Sequence, residues 1–452
     1  MSGDRRPTSA PGRRRVAVTG VGIISPVGND VPTFWASLLA GKSGVGPITE
    51  FPTDKLRSDV AASVRGFEAA RFFSPKETEI YGKVTQFSLG AAVEAMRAAG
   101  LEALYRPPKR GGASREDDDD DEATGGTAAD PHRGIRLAAG CLMSTGQGAV
   151  DVFEREIEKS RVRGPRAVSP FFVPSVMPNS AAALVAMRFG LMGPSYSVAS
   201  ACATGTHSIA MGALLIESGE ADIMVVGGAE AATQLNTVAG FGNTRALARS
   251  VDGDPTKASR PFDKRRSGFV MGEGAGVLVL EGEDSARARG VAPLAYVAGF
   301  GMSTDATNLT KPLTDGRGLL LAIERAMGRA GVRPEDIGYI NPHATSTPQG
   351  DVAEYRALSA AFGEALARTP VSATKSMLGH MLGGAGAAES IAVVCTLRDG
   401  TIHPSINVDE LDPQLAGFDV VVREPRRADV RYALKLSAGF GGHNCALVFE
   451  RA

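Results

Sequence analysis

Val16-Ala-Val-Thr-Gly-Val-Gly-Ile-Ile24 carries no charged side chain, is rich in β-branched residues and is broken by glycines, the pattern of a strand buried on both faces. Far downstream, Leu294-Ala-Tyr-Val-Ala-Gly-Phe-Gly301 repeats this strand-glycine opening. Ala221-Asp-Ile-Met-Val-Val-Gly-Gly-Ala-Glu230 and Gly274-Ala-Gly-Val-Leu-Val-Leu-Glu281 read as buried strands too, and the stretches around Phe34–Leu39 and Val84–Ala99 read as helices. Strand-helix alternation predicts an α/β architecture. The recurrence predicts an internal duplication with its seam near residue 290. The expected boundaries are a flexible tail over residues 1–13, one half over 14–290 and a second over 291–452.

The bulk numbers narrow the function classes. A chain of 452 residues exceeds one ordinary core and suffices for two. With 43% hydrophobic and 22% charged residues it has a globular rather than a disordered profile. A net charge of −1 offers no bulk attraction to nucleic acid or to a membrane surface, so a charged partner needs a local patch. No apolar stretch approaches the roughly 20 residues that span a bilayer. Met1–Arg15 is arginine-rich without an apolar core, so it reads as a tail, with a transit-peptide remnant as the alternative. Residues 106–133 hold Pro107-Pro108, Gly111-Gly112 and the acidic run Glu116–Glu122, which predicts a solvated, mobile surface insertion in the first half. The four cysteines form no CxxC pair, which predicts free thiols in a reducing compartment.

One of those thiols lies in Ser200-Ala-Cys202-Ala-Thr-Gly-Thr-His-Ser-Ile-Ala210. An apparent strand over Tyr196–Ala199 precedes it and a helical pattern follows, which predicts a strand-to-helix elbow. There the positive end of the helix dipole is expected to favour thiolate, and hence a nucleophile. Two of only six histidines occupy polar, glycine-rich settings: His343 in Asn341-Pro-His-Ala-Thr-Ser-Thr-Pro348 and His380 in Thr374-Lys-Ser-Met-Leu-Gly-His-Met-Leu-Gly383. No two histidines stand at helical i, i+4 spacing, so no metal site is predicted. Gly439-Phe-Gly-Gly442 lacks the lysine of a phosphate loop and reads as slim backbone beside a ligand.

Five segments together resemble the β-ketoacyl-acyl carrier protein synthases of the elongating type, synthase II. They are Ala201-Cys-Ala-Thr-Gly205; Arg260-Pro-Phe-Asp263 with Gly268-Phe-Val-Met-Gly-Glu-Gly-Ala-Gly276; His343-Ala-Thr-Ser-Thr-Pro-Gln-Gly-Asp351; Thr374-Lys-Ser-Met-Leu-Gly-His380; and Gly439-Phe-Gly-Gly-His-Asn444. The likeness covers nearly all of residues 14–452 apart from the acidic insertion. It implies the thiolase-like fold, two duplicated α/β halves in αβαβα layers, normally as a homodimer. It further implies decarboxylative condensation of acyl- with malonyl-acyl carrier protein, without cofactor or metal, in a bacterial cytoplasm or an organelle matrix. By the same resemblance Cys202 carries the acyl chain, and His343 and His380, mainly neutral, hold the malonyl carbonyl. Backbone N–H groups of Cys202 and Phe440 face the oxyanion, and Phe440 gates the acyl channel. Lys375 organises the His380 loop, Glu389 is a buried acid nearby, and Thr345 and Thr347 bond the pantetheine arm. Arg161, Arg163 and Arg166 fall on the family's carrier-docking side.

The sequence departs from the family in places. Ala344 stands where glycine is common, Ala438 where a second phenylalanine is usual, and Ser267 where an acid is usual. Gln147 falls where relatives place an apolar residue of the acyl pocket, which suggests a preference for shorter chains. A thiolase is disfavoured, because Cys445 lies outside any second-cysteine motif and two histidines are present. A non-catalytic subunit resembling a chain-length factor would lack Cys202. A polyketide-type ketosynthase shares the same triad and stays open.

Overall fold

The computed structural model describes residues 13–108 and 130–452. The expected tail, save its last residue, and most of the expected insertion lie outside the described residues. The chain is already built into the fold at Asp130, whose carboxylate pairs with Arg136 at 3.1 Å, and a short helix spans Arg133–Ala138.

Ten strands form one mixed sheet: β1 (Val16–Ile24), β2 (Ala139–Thr145), β3 (Ile223–Glu230), β4 (Gly274–Gly282), β5 (Ala295–Thr304), β6 (Ile337–Asn341), β7 (Pro370–Val371), β8 (Asp419–Val420), β9 (Tyr432–Gly439) and β10 (His443–Arg451). Their order is β8-β7-β6-β9-β10-β5-β1-β4-β3-β2. β1 is antiparallel to β4, β4 antiparallel to β3, and β3 parallel to β2. The second half repeats the series: β5 is antiparallel to β10, β10 antiparallel to β9, and β9 parallel to β6. The halves join where Val16, Ala17 and Val18 of β1 pair with Val297, Tyr296 and Ala295 of β5.

The helices that matter here are α1 (Val31–Leu39), α2 (Lys83–Ala98), α3 (Val150–Arg163), α4 (Ser180–Phe189), α5 (Thr204–Glu217), α6 (Arg317–Ala330), α7 (Pro348–Phe362) and α8 (Ala385–Asp399). The repeated glycines of β1 and β5 have one physical reason. A Cβ on Gly20 or Gly22 would stand 2.1 Å from a carbonyl oxygen of α2, at Ala95 or Ala91. On Gly299 or Gly301 it would stand 2.4 or 2.1 Å from Ala326 or Ala322 of α6. Each pair lets a helix lie directly on its strand.

Three large hydrophobic cores hold five layers together, the central one serving two interfaces. α2 and α4 cover the outer face of the first half through Leu89, Ala92, Val185 and Val277. α6 and α7 cover that of the second through Ile323, Leu358, Leu434 and Val448. Between the two sheet halves lie α5 and α8, through Ile209, Ala213, Ile391 and Val394. Every residue of α8 from Ala385 to Leu397 is buried, which is why it carries no polar stripe. Among the described residues no helix is long and apolar enough to cross a membrane.

Candidate active site

Both central helices begin with the same device. A single 3₁₀ turn, Ala201–Ala203, leads into α5, and another, Leu382–Gly384, leads into α8. The first residue of each turn is held in the left-handed region, Ala201 at φ 50° and Leu382 at φ 44°. Such strain persists only where packing enforces it. A Cβ on Gly439 of β9 would lie 2.5 Å from the Ser200 carbonyl oxygen, and one on Gly228 of β3 would lie 2.3 Å from that of Gly383. Each elbow is therefore pressed against a glycine of a neighbouring strand.

Cys202 occupies the middle of the first turn. The segment before it differs from expectation: Tyr196–Ala199 is not a strand, and only Ser195 makes a bridge, to Cys141. The helix does follow at once. The expected thiolate, however, is not the resting state. Burial pushes the Cys202 thiol up to about 11, against the opposing pull of the Lys375 charge and of the Phe440 and Cys202 N–H groups. Desolvation outweighs the helix terminus here.

His343 and His380 face each other edge to face, with ring centroids 5.3 Å apart at 85°. The His343 backbone is fixed by Glu354, whose carboxylate accepts the N–H of His343 at 2.5 Å and of Ala344 at 2.8 Å. Ala344 itself adopts φ 40°, a conformation that favours glycine. The His380 N–H donates to the Val270 carbonyl at 2.7 Å, and its ring meets Phe269 edge-on at 5.3 Å. Burial first, and the Lys375 charge second, hold both imidazoles well below their ordinary value, so both rings are neutral.

Lys375 and Glu389 form a buried ion pair at 2.5 Å. The lysine was expected to serve the His380 loop. Its carbonyl does accept the Gly379 N–H at 3.0 Å, but its ammonium points to His343, 3.4 Å from Nδ1. An ammonium can only donate, so Nδ1 accepts and the His343 ring proton sits on Nε2.

Cys202, both histidines, Thr345, Thr347 and Phe440 line one cavity of about 430 Å³, with Ala438 and Ser267 also on its wall. The Thr345 and Thr347 hydroxyls lie 3.0 Å apart, and Thr347 also caps α7 through the Gly350 N–H at 3.2 Å. Phe440 packs on Phe241 at 6.0 Å. Lys375 and Glu389 stand behind the histidines rather than on the wall. The Gln147 side chain is exposed and is not among those lining this cavity, and its turn is pinned from below. Glu230 does the pinning, accepting from Thr145 Oγ1 at 2.7 Å and from the N–H groups of Gly146, Gln147 and Gly383. Burial pushes Glu230 and Glu354 up to about 7.

Sequence reading passed over Glu230, Glu354 and Lys435. Each had a signal: a charge inside or at the end of an otherwise apolar strand, or an acid on the inner face of a helix. Among the described residues no group of three or more His, Cys, Asp or Glu side chains is placed to hold a metal.

With this fold, and a thiol beneath two N–H donors at a helix head, the protein falls in the class of thiolase-like condensing acyltransferases. The chain belongs to the β-ketoacyl synthase family: the family's N-terminal domain (Beta-ketoacyl synthase, N-terminal domain) matches residues 13–286 and its C-terminal domain residues 294–409. It is 42% identical over 441 residues to 3-oxoacyl-[acyl-carrier-protein] synthase 2 of Vibrio cholerae serotype O1, spanning 97% of this chain and 99% of that one. The solved ishigamide ketosynthase/chain length factor superposes with a TM-score of 0.83 at 33% identity, over 97% of this chain and 100% of that one. A type II PKS acyl-carrier protein in complex with its ketosynthase, bound to the hexaketide, gives 0.83 at 28% identity, over 97% and 100%.

Proposed function

We propose that this chain is a 3-oxoacyl-[acyl-carrier-protein] synthase that elongates fatty acyl chains. The carrying observation is a thiol that shares one cavity with two neutral imidazoles. Residues 14–290 form the half that supplies the thiol, and residues 291–452 the half that supplies the imidazoles. Cys202 attacks the acyl-carrier thioester, the carrier leaves, and its sulfur takes the proton the cysteine gives up. Malonyl-carrier protein then enters, with Thr345 and Thr347 bonding its pantetheine arm. Loss of carbon dioxide breaks the carboxyl C–C bond and leaves an enolate, whose oxygen accepts from the N–H groups of His343 and His380. The enolate carbon attacks the Cys202 thioester. The oxyanion so formed accepts from the Cys202 and Phe440 N–H groups and collapses, releasing 3-oxoacyl-carrier protein. The cysteine sulfur regains a proton from solvent, so one proton is consumed per turnover. Lys375 fixes the His343 tautomer, with Glu389 as its counter-ion.

The partner is an acidic acyl carrier protein, drawn by Arg161, Arg163 and Arg166, which are exposed at the end of α3 and just beyond it. The protein works as a homodimer, each copy covering the other's apolar face around α3. It operates in a bacterial cytoplasm, where its four free thiols stay reduced.

Incubation with acyl- and malonyl-carrier proteins of several chain lengths, followed by intact-mass measurement, tests this. A carrier-bound 3-oxoacyl product two carbons longer is expected. Acylated Cys202 without an extended product favours a polyketide substrate, and no acylation with any donor sinks the catalytic reading.

A further inference from the structure

Lys435 is a buried charge that these steps leave without a task. It sits in the middle of β9 with no exposed surface. Leu434 and Leu436 on either side point into the outer core beneath α6 and α7, so Lys435 faces the central layer and α8. Its Nζ donates to the Leu436 carbonyl and to Ser437 Oγ, and stands 2.8 Å from Glu389 Oε2. Glu389 Oε1 already holds Lys375 at 2.5 Å. Oε2 accepts no aligned hydrogen bond, so its contact with Lys435 is one of charge.

Two ammonium groups thus share a single carboxylate in a place with almost no solvent access. Burying a lysine costs far more than burying a leucine, and a core built for stability alone would not place one here. We propose that Lys435 is a positioning residue for the condensation. It takes one oxygen of Glu389 and leaves the other to Lys375, so that two ammonium groups face one carboxylate behind the imidazoles and add to burial in keeping both rings neutral N–H donors. This rests on the roles assigned above to His343 and His380. Its chemical use follows from the enolate. A neutral imidazole N–H is a poor acid, whereas an imidazolium protonates the enolate carbon, and malonyl-carrier protein plus one proton then gives acetyl-carrier protein and carbon dioxide with no chain extension.

The charged groups facing Lys435 are Glu389 of α8, Lys375 and, from α7, Glu354. Cys445 of β10 also feels its charge, and Tyr339 and His403 feel that of Glu389. Of these only the two carboxylates oppose the effect on the rings.

The test uses full-length enzyme with ¹⁵N-histidine, titrated by NMR from about pH 5 to about pH 8, alongside the ratio of 3-oxoacyl to acetyl product by mass. Wild-type rings are expected to stay neutral throughout. Lys435→Met, and Lys435→Gln, which keeps donors for Leu436 and Ser437, are expected to let at least one ring charge within the range. The acid limb of condensation then moves up by about one pH unit, a loss that approaches about tenfold well below the midpoint, with acetyl product rising. Folded variants whose rings titrate as in wild type would overturn the proposal. So would wild-type rings that charge near the ordinary imidazole value, a result readable even if neither variant folds. Should His343→Ala and His380→Ala retain decarboxylation, the catalytic reading fails while the ring titration still reports on Lys435.

Discussion

Cys202 sits where two effects oppose each other. The N–H groups at the head of α5 favour an anion, and burial disfavours it more, leaving the thiol at about 11. Alkylation of the free enzyme by iodoacetamide is therefore expected to rise about tenfold per pH unit from about pH 7 to about pH 10. A plateau already near neutrality would show a preformed thiolate. Glu230 carries the same kind of charge problem. Its folded value of about 7 lies above its ordinary 4.5. The stability it contributes is full below about pH 4.5 and is lost as pH rises through about 7. Glu230→Gln should flatten the fall in Tm between about pH 5 and about pH 8, and an unchanged slope would assign the pH dependence elsewhere. Cys202, His343 and His380 were singled out by their combination and by the motifs around them, since each of these side chains alone is more often structural. Lys435 and Glu354 were not. A reading by hydrophobic pattern places charges outside, and only the packing of α8 and α7 shows these to be inside.

At the scale of elements, β1 and β5 were read correctly because their glycine pairs interrupt apolar runs at matching places. Gly301→Ala drives a Cβ into the Ala322 carbonyl of α6 and is expected to cost about 1–3 kcal/mol. Gly328→Ala, in the same helix but with open space around it, should instead stabilise by about 0.5–1 kcal/mol. Chemical denaturation of the two variants separates backbone contact from propensity, and equal effects would refute the contact. Tyr196–Ala199 was misread because its composition suits a strand, whereas pairing depends on a neighbour on each side, and β2 offers one bridge only. Gln147 shows a related dependence on distant contacts. A turn's side chain is aimed by what anchors its backbone, here Glu230, and that anchor is distant in sequence.

Over the whole molecule one face stands out. Phe153 and Ile157 of α3 and Phe171, Val173 and Met177 just after it are exposed, Ile157 at 53% and Val173 at 61%, and Phe153 meets Phe172 at 5.3 Å. Exposed apolar side chains gathered in this way support the self-association proposed above. Sedimentation at micromolar concentration should give a dimer for the wild type and a folded monomer for Ile157→Asp combined with Val173→Asp. A monomeric wild type would rule out self-association through this face.

The twin elbows carry a kinetic consequence. Two turns of the same shape head the two central helices, yet the first holds Cys202 where the second holds Gly383. On the function proposed above, each chain thus has a single loading post. Donor and extender cannot be parked side by side on two thiols; they must use the one cavity in turn. The first carrier has to depart before the second arrives, so steady-state plots against the two substrates should run parallel, the signature of a ping-pong enzyme, with one acyl group bound per chain at the halfway point.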